Sequence, residues 1–253
     1  MKLIFLGTGT STGVPQLGCS CEVCRSKDPR DNRLRSSALL ETDAGRSILI
    51  DCGPDFRQQM LRVGFRRVEA VLLTHEHYDH VGGIDDLRPF QVYGSLDVYA
   101  DELCSAHLKS SIPYCFAEHK YPGVPQIRLR LIESGKAFQA AGVEIIPVRV
   151  MHGRLPVTGF RIGTLAYLTD VTDVPPKSFE LLKGAKVLVV DALRLSPHPT
   201  HFSLEQALTF VDKFQPQEAY FIHMSHSIGL HAEVERTLPP HTHLAYDGLE
   251  IQC

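Results

Sequence analysis

The stretch Leu72–Gly83, LLTHEHYDHVGG, places four side chains that can bind metal within six residues. These are His75, His77, Asp79 and His80, and they follow directly after the apolar run VEAVLL. Side chains on a loop at the end of a buried strand can converge on one point, and alternate residues of an extended chain point to the same side. An ordinary polar surface loop would not concentrate so many ligands at the end of so apolar a strand. The HxHxDH spacing therefore indicates ligands for two metal ions.

Three further ligand-type residues each close an apolar run later in the chain. His152 ends IIPVRVMH, Asp170 ends LAYLTD and His223 ends EAYFIH. A catalytic zinc usually keeps three protein ligands and one open position, so two metals need more ligands than the first motif supplies. Taken singly, each residue could be a structural histidine or a helix-capping aspartate. Together with the HxHxDH motif they complete a set for two metals.

The composition is that of a globular protein without a strong global charge. The chain has 253 residues, of which 43% are hydrophobic and 22% charged, and its formal net charge is -3. These values exclude disordered and fibrous classes, and they provide no overall attraction to a polyanion. Two local arginine clusters are interpreted as solvated faces. They comprise Arg30, Arg33 and Arg35 and, later, Arg62, Arg66 and Arg67.

No targeting or membrane segment is recognised in the sequence. The start MKLIFLGTGTSTG has too short an apolar run for the h-region of a signal peptide. No stretch approaches the roughly 20 apolar residues of a membrane span. We therefore expect a cytoplasmic protein without membrane contact, in which clustered cysteines more often bind metal than form disulfides.

Apolar runs and turn residues predict the secondary structure. Short apolar runs bounded by glycine, aspartate and turn residues predict strands at KLIFLG, SALLET, RSILIDCG, VEAVLLTH, LDVYA, GVEIIPVRV, TGFRIG, TLAYLTD, AKVLVVDAL, EAYFIH and HLAYDGLEI. Helical spacing predicts one helix that ends at Gly64, one that starts near Leu204 and one near HAEVERTL. No composition shift or repeat marks a boundary, so residues 1–253 are expected to form one domain with helices outside the sheets.

The segment THEHYDHVGG, followed in order by His152, Asp170 and His223, resembles the metallo-β-lactamase superfamily over essentially the whole chain. The resemblance implies an α/β fold, namely a four-layer αββα sandwich, and a site for two catalytic divalent metals, zinc or manganese. It also implies that Asp51, which ends ILID, fixes the tautomer of a ligand histidine. The implied ligands are His75, His77 and His152 for one metal, Asp79, His80 and His223 for the other, and Asp170 as a bridge.

The start LGTGTSTGVP and the later PTHFSLEQA resemble the phosphodiesterase branch of this superfamily. That branch includes transfer-RNA 3′-end endonucleases and small-molecule cyclic phosphodiesterases. The resemblance implies a hydroxide bound by two metals as nucleophile, with Asp79 among the catalytic ligands. It also implies His201 as the general acid, and His198 remains an alternative for that role.

The substrate expected from the resemblance is a small cyclic phosphodiester. Transfer-RNA processing enzymes carry a long basic arm, whereas the nearest candidate segment, LKSSIPYCFAEHKYPGVPQ, holds only Lys109 and Lys120 as basic residues. Nucleic acid is therefore not expected as a substrate. Similarity to the phosphoribosyl 1,2-cyclic phosphate phosphodiesterases of the PhnP family implies 5-phosphoribosyl 1,2-cyclic phosphate as the substrate. Arg154, two residues after His152, is either a phosphate contact or a surface arginine. A transfer-RNA nuclease and a non-hydrolytic protein of cofactor biosynthesis remain alternatives, and a homodimer is implied only by the resemblance.

A cluster of three cysteines lies near the start of the chain. In LGCSCEVC, a disulfide would leave one of Cys19, Cys21 and Cys24 unpaired, and a metal site would need a fourth ligand. The resemblance to the PhnP family implies that this ligand is a histidine three residues after the last active-site histidine, which is His226. The implied Cys₃His site is a closed structural zinc site. The four other cysteines show no such spacing.

Overall fold

Two seven-stranded sheets form the centre of the computed structural model, which describes residues 1–253. The first sheet contains β1 (Lys2–Gly7), β2 (Ser37–Glu41), β3 (Ser47–Ile50), β4 (Val68–Leu72), β5 (Leu96–Ala100), β6 (Ile127–Leu131) and β14 (Glu250–Gln252). The second contains β7 (Phe138–Ala140), β8 (Val143–His152), β9 (Leu155–Ile162), β10 (Leu165–Tyr167), β11 (Val187–Asp191), β12 (Glu218–Ile222) and β13 (Thr242–Leu244).

Seven α-helices and four 3₁₀ helices connect the strands. The α-helices are α1 (Glu22–Arg25), α2 (Phe56–Val63), α3 (Tyr78–Val81), α4 (Glu102–Ser111), α5 (Pro176–Leu182), α6 (Leu204–Phe214) and α7 (His231–Glu235). The 3₁₀ helices are Pro29–Asp31, Ile84–Tyr93, Pro113–Cys115 and His226–Ile228. No helix has both the length and the apolar composition needed to cross a bilayer.

Both sheets contain a parallel half. Strands β3 to β6 run parallel in the first sheet, and β10 to β13 run parallel in the second. The carboxyl ends of parallel neighbours meet at the same edge of a sheet, which is where ligand-bearing loops collect in α/β folds. The ends of β3, β4, β10 and β12 therefore lie at one edge of the sandwich, which we call the upper edge.

Three apolar cores separate four layers. The middle core lies between the sheets and joins residues such as Ile50 and Leu72 of the first sheet to Phe160 and Val189 of the second. One outer core packs α2 and α4 on the first sheet, and the other packs α5, α6 and α7 on the second. The predicted αββα sandwich is thus confirmed.

Two local predictions have different outcomes. The helix α2 ends at Gly64, as the sequence predicts, and this glycine has a φ of 78° that favours glycine. The prediction of one final strand at HLAYDGLEI is wrong, because β13 lies at the edge of the second sheet and β14 at the edge of the first. The chain between them crosses from one sheet to the other, and Gly248, with a φ of 94°, lies in that crossing.

Replacing Leu72 with alanine should lower the free energy of unfolding by about 2–5 kcal/mol, because the side chain is fully buried between the sheets. The matched control is Leu131→Ala, on β6, where the side chain is 69% exposed and the expected change is below about 0.5 kcal/mol. Urea unfolding of both metal-loaded variants, followed by circular dichroism, measures the difference. Equal shifts of the midpoint would contradict the assignment of the middle core.

Candidate metal centres

The upper edge brings the predicted metal ligands together. His75 and His77 follow β4, Asp79 and His80 lie in α3, His152 ends β8, Asp170 follows β10, and His223 follows β12. Five of these seven side chains are buried, namely His75, Asp79, His80, Asp170 and His223. Ligands that are far apart in the sequence thus converge because their strands end at the same edge.

Three residues of the site have an unusual backbone conformation. Asp51, Asp170 and His223 have φ angles of 59°, 57° and 56°. Residues other than glycine seldom adopt this left-handed region, and such residues cluster at functional sites. Each of the three follows a strand end, where the left-handed turn directs the side chain into the site.

Asp79, His80 and His223 form one compact ligand group. Asp79 Oδ2 lies 3.3 Å from Nε2 of His80 and 3.4 Å from Nε2 of His223. Two ligand atoms on a tetrahedral zinc, with bonds of about 2.0–2.1 Å, lie about 3.3–3.4 Å apart. Nε2 of His80 is buried and has no hydrogen-bond partner. These distances fit three ligands around one ion better than direct hydrogen bonds.

His75 and His77 form a second group with Asp170, whereas His152 is grouped with Asp170 and His201. Nε2 of His75 lies 2.9 Å from Nδ1 of His77, and the rings of His77 and His152 have centroids 5.3 Å apart. Imidazole and carboxylate groups are donors that suit zinc and other divalent transition metals. The predicted triad of His75, His77 and His152 stays a prediction.

Asp170 lies between the two groups. Its Oδ2 is 3.3 Å from Nε2 of His80, and its Oδ1 is 3.4 Å from Nε2 of His223 and 4.0 Å from Nε2 of His75. The carboxylate therefore reaches ligand atoms of both sets. The residues fit a bridging position between two metals.

The charges of the site favour bound cations. Burial opposes ionisation of Asp170, but the imidazoles of His223 and His80 outweigh it and hold the pKa of this carboxyl well below its usual range. Burial lowers the pKa of His75 well below its ordinary value, and the neighbouring His80 adds to this shift, which leaves His75 a neutral imidazole. Burial opposes the charged form of His80 and His223, but Asp170 and neighbouring carboxylates outweigh it and raise the pKa of both imidazoles. A metal bound by these two histidines would therefore displace their protons.

Outer hydrogen bonds orient two of the ligand histidines. Nδ1 of His80 donates to Oδ2 of Asp51 over 2.7 Å, and Nδ1 of His152 donates to the carbonyl oxygen of Thr200 over 2.7 Å. Asp51 also accepts hydrogen bonds from the backbone and hydroxyl of Thr74. Both bonds leave Nε2 of the histidine free for a metal. The sequence predicted Asp51 as the partner of a ligand histidine. Nothing in the sequence indicated that the carbonyl oxygen of Thr200 accepts a hydrogen bond from His152.

His201 lies against the ligand cluster. It is buried, its ring stacks on that of His223 at 4.9 Å, and its Nδ1 lies 3.5 Å from Oδ2 of Asp191 and 3.7 Å from Oδ1 of Asp170. Asp191 ends β11 and accepts a hydrogen bond of 2.8 Å from the backbone of Val171. Asp191 was not predicted from the sequence, although it closes the apolar run AKVLVVD as the ligands close theirs.

Two weaker candidates lie further from the ligand cluster. His198 is half-buried, its ring centroid is 5.2 Å from that of His201, and its Nδ1 accepts a hydrogen bond of 3.3 Å from the backbone of Thr200. Arg154 is exposed at the turn between β8 and β9, and its side chain makes no hydrogen bond or ion pair in the chain. The structure thus brings His198 near the site and leaves Arg154 at its rim.

The cysteine cluster forms a separate site with His226. Nδ1 of His226 lies 3.3 Å from Sγ of Cys21 and 3.6 Å from Sγ of Cys19, and the ligand atoms of all four residues lie within 4.8 Å of one another. Zinc bonds of about 2.3 Å to sulfur and 2.0–2.1 Å to nitrogen place S and N about 3.6 Å apart in a tetrahedron. The donor set and its spacing fit a closed zinc site.

The cysteine thiols differ in their readiness to bind metal. The backbone amide of Cys24 and the ring of His226 lower the pKa of Cys21 to about 6, which favours the thiolate at neutral pH. Burial raises the pKa of Cys24 to about 11. Zinc binding would therefore displace a proton from Cys24, and the affinity should rise with pH.

Residues 46–224 match the family model described as a beta-lactamase superfamily domain, which covers more than half of the chain. The chain belongs to the metallo-β-lactamase superfamily. A crystal structure described as a new diphosphatase from the PhnP family is 40% identical, with 99% of this chain and 96% of that chain covered and a TM-score of 0.91. Zinc-bound PqqB from Methylobacterium extorquens shares the fold at 20% identity and a TM-score of 0.80, with all of both chains covered.

A curated relative is considerably longer than this chain. A protein named octanoyltransferase from Porphyromonas gingivalis is 47% identical over 251 residues, which are 99% of this chain and 51% of that protein. The chain spans about half the length of this curated relative. The name therefore does not assign octanoyl transfer to the half that matches this chain.

The comparisons confirm the resemblance and the fold predicted from the sequence. They support a hydrolase of the metallo-β-lactamase superfamily that has residue groups able to hold divalent metals. The individual ligand assignments, the metal identities and the substrate remain predictions.

Replacing His226 with alanine should lower the metal content of the purified protein from about three to about two ions per chain, because the cysteine site loses its fourth ligand. His119→Ala, at an exposed histidine outside both sites, is the control and should keep the content of the unmodified protein. Elemental analysis after dialysis, on variants with an unchanged circular dichroism spectrum, measures the effect. An unchanged metal content in His226→Ala would contradict the assignment of this ligand.

Proposed function

We propose that this protein is a metal-dependent phosphodiesterase that hydrolyses a small cyclic phosphodiester such as 5-phosphoribosyl 1,2-cyclic phosphate. The observation that carries the proposal is the position of Asp170 between two ligand groups, with His201 beside them. Identity of 40% over nearly the whole of a PhnP-family diphosphatase supports phosphoryl chemistry.

The proposed metals are zinc or manganese, and both ions would be held by the seven residues of the upper edge. When bound, two divalent ions would lower the pKa of a shared water and stabilise the charge that develops on the attacked phosphoryl group. The proposed ligands are His75, His77 and His152 for one ion and Asp79, His80 and His223 for the other, with Asp170 shared. Cys19, Cys21, Cys24 and His226 would hold the structural zinc.

The proposed role of His201 is to protonate the leaving oxygen of the substrate. Asp191 and Asp170 face its Nδ1, so Nε2 on the opposite edge of the ring is the nitrogen that can reach a substrate. A carboxylate that faces Nδ1 can orient the ring, as in other histidine–aspartate pairs. Proton donation helps most when the leaving group is an alkoxide, which is the case when a cyclic sugar phosphate is opened.

A small substrate agrees better with the surface than a transfer RNA. The segment with residues 108–126, the nearest candidate for an RNA arm, comprises the end of α4, the 3₁₀ helix Pro113–Cys115 and a loop. The net charge of -3 offers little phosphate neutralisation.

A non-hydrolytic protein of cofactor biosynthesis fits less well, because the chain keeps all seven ligand-type residues. The cytoplasmic location and the homodimer stay predictions.

A second candidate function is hydrolysis of a diphosphate. The description of the 40% identical relative as a diphosphatase favours it. Cleavage of a diphosphate releases a phosphate, which leaves without a proton far more easily than an alkoxide does. The two functions therefore differ in how much they need His201.

A substrate panel tests the proposal and its alternatives. The metal-loaded protein is assayed on 5-phosphoribosyl 1,2-cyclic phosphate, bis-p-nitrophenyl phosphate, a nucleoside diphosphate compound and precursor transfer RNA. The proposal predicts hydrolysis of the cyclic phosphate at the highest kcat/KM. Exclusive cleavage of the diphosphate or of the RNA would overturn the substrate class, and hydrolysis of none of them would overturn the proposal as a whole.

Replacing His201 with alanine should lower kcat for the cyclic sugar phosphate by about 10²–10⁴, the usual worth of general acid–base catalysis. The rate on bis-p-nitrophenyl phosphate should change little, because nitrophenolate needs no proton to leave. His198→Ala is the matched control, and metal analysis of both variants checks that the ligand groups are intact. A larger loss in His198→Ala than in His201→Ala would transfer the role to His198.

A further inference from the structure

A buried hydroxyl lies behind the first ligand motif. It belongs to Thr74, which directly precedes His75, and both side chains are buried together with that of Asp51. Oγ1 of Thr74 lies 2.9 Å from Oδ2 of Asp51 and 3.0 Å from Nδ1 of His75. One hydroxyl thus contacts both a carboxylate and a proposed metal ligand.

The single proton of this hydroxyl determines the direction of the hydrogen bonds. A carboxylate can only accept, so the hydroxyl of Thr74 donates to Asp51. Its oxygen then accepts a hydrogen bond from His75, and Nδ1 of His75 carries the proton. The hydrogen bond at one imidazole nitrogen decides which nitrogen is available to a metal. Nε2 of His75 is therefore the ligand atom, and it faces the cage, 4.0 Å from Oδ1 of Asp170.

The same carboxylate also holds a ligand of the other ion. Nδ1 of His80 donates to Oδ2 of Asp51 over 2.7 Å, and this is the oxygen nearer to the hydroxyl of Thr74. The rings of His75 and His80 lie side by side, with centroids 4.2 Å apart. In the proposed cage, His75 belongs to one ion and His80 to the other. One buried carboxylate thus contacts His80 directly and reaches His75 through Thr74.

The backbone that carries the hydroxyl is fixed from both sheets. The amide of Thr74 donates to Oδ1 of Asp51 over 2.8 Å, and its carbonyl oxygen accepts a hydrogen bond of 2.9 Å from the amide of Thr158, on β9. The amide of Asp51 in turn donates to the carbonyl oxygen of Leu72 over 2.9 Å. A side chain orients a ligand only when its own position is held in this way. These contacts keep the hydroxyl of Thr74 between Asp51 and His75.

We propose that Thr74 is a positioning residue that connects Asp51 to His75, so that one buried carboxylate orients a ligand of each of the two catalytic ions. The inference rests on the two-metal site of the proposed function and adds to it a residue that is not itself a proposed ligand. It predicts that removing the hydroxyl weakens the binding of one ion, whereas removing the charge of the carboxylate weakens the binding of both.

Metal titration of two variants tests the inference. Thr74→Val removes the hydroxyl at nearly constant side-chain volume, and Asp51→Asn removes the charge at nearly constant shape. Each protein is depleted of its catalytic metals, with the cysteine site filled, and is titrated with Zn²⁺ in competition with a chelator. Thr74→Val should bind one of the two ions about 10- to 100-fold more weakly, the usual effect of losing an outer partner of a ligand histidine, and the other ion as before. Asp51→Asn should bind both ions more weakly.

Two controls separate the hydroxyl from packing. Thr74→Ser keeps a hydroxyl and should restore most of the affinity. Thr42→Val removes another buried hydroxyl, which accepts a hydrogen bond from the amide of Arg46 in the turn between β2 and β3, and should bind both ions as the unmodified protein does. Unchanged affinities in a folded Thr74→Val protein, an equal loss in Thr74→Ser, or an equal loss of both ions in Thr74→Val would overturn the inference.

Nuclear magnetic resonance of the imidazole nitrogens gives a second measurement that does not depend on activity. In the zinc-loaded protein, His75 should carry its ring proton on Nδ1, and this proton should exchange with water faster in Thr74→Val, while the ring proton of His80 stays protected. A proton on Nε2 of His75, or unchanged exchange, would overturn the inference.

The same spectrum distinguishes failure of the inference from failure of the proposed function. A protein that binds zinc only at the cysteine site would contradict the proposed two-metal function. The hydrogen bond from His75 to Thr74 is then tested in that protein by the same comparison with Thr74→Val. Faster exchange of the Nδ1 proton in the variant supports the positioning role of Thr74, and equal exchange overturns it.

Discussion

The buried carboxylate of Asp170 is the interaction on which the rest of the structure depends. It follows β10 of the second sheet, and its oxygens lie 3.3–4.0 Å from nitrogens of His75 and His80, which belong to loops of the first sheet, and of His223. Without cations, buried carboxylates and imidazole nitrogens would meet at the upper edge with unsatisfied atoms, which is costly in a dry interior. The same ions that support chemistry would therefore hold the two sheets together at this edge.

The cysteine site lies next to the segment that carries His223. The backbone of Met224, directly after His223, exchanges hydrogen bonds with the loop at Thr8 and Thr10, and Ser225 donates to the carbonyl of Leu193. The amide of Leu193 in turn donates to the carbonyl of Phe202, the neighbour of His201. Zinc at the cysteines and His226 would thus restrain the segments that carry His223 and His201 together.

The fold, and the convergence of the ligand-type residues at one edge, could be predicted because these residues obey a local rule. Each predicted ligand of the two-metal site lies at or just after the end of an apolar run. Because the ends of parallel strands meet at one edge of a sheet, such residues are expected to converge even when the order of the strands is unknown. Asp191 obeys the same rule, but a lone aspartate at a strand end more often caps a helix or forms a turn. The hydrogen bond from His152 to the carbonyl of Thr200 could not be predicted, since it joins two distant segments of the chain. The boundary between the last two strands is signalled only by Asp247 and Gly248, because apolar residues such as Ala245 and Leu249 flank this pair on both sides.

The central claim is that two ions in the cage at Asp170 are required for phosphodiester hydrolysis. The most direct measurement titrates protein depleted of its catalytic metals, but with the cysteine site filled, with Mn²⁺ or Zn²⁺ and follows the initial rate on a cyclic phosphodiester. The account predicts negligible activity at the start and a rate that saturates at about two added ions per chain. Asp170→Asn should abolish this saturable rise. Full activity of the depleted protein, or no activity at any metal concentration, would contradict the account.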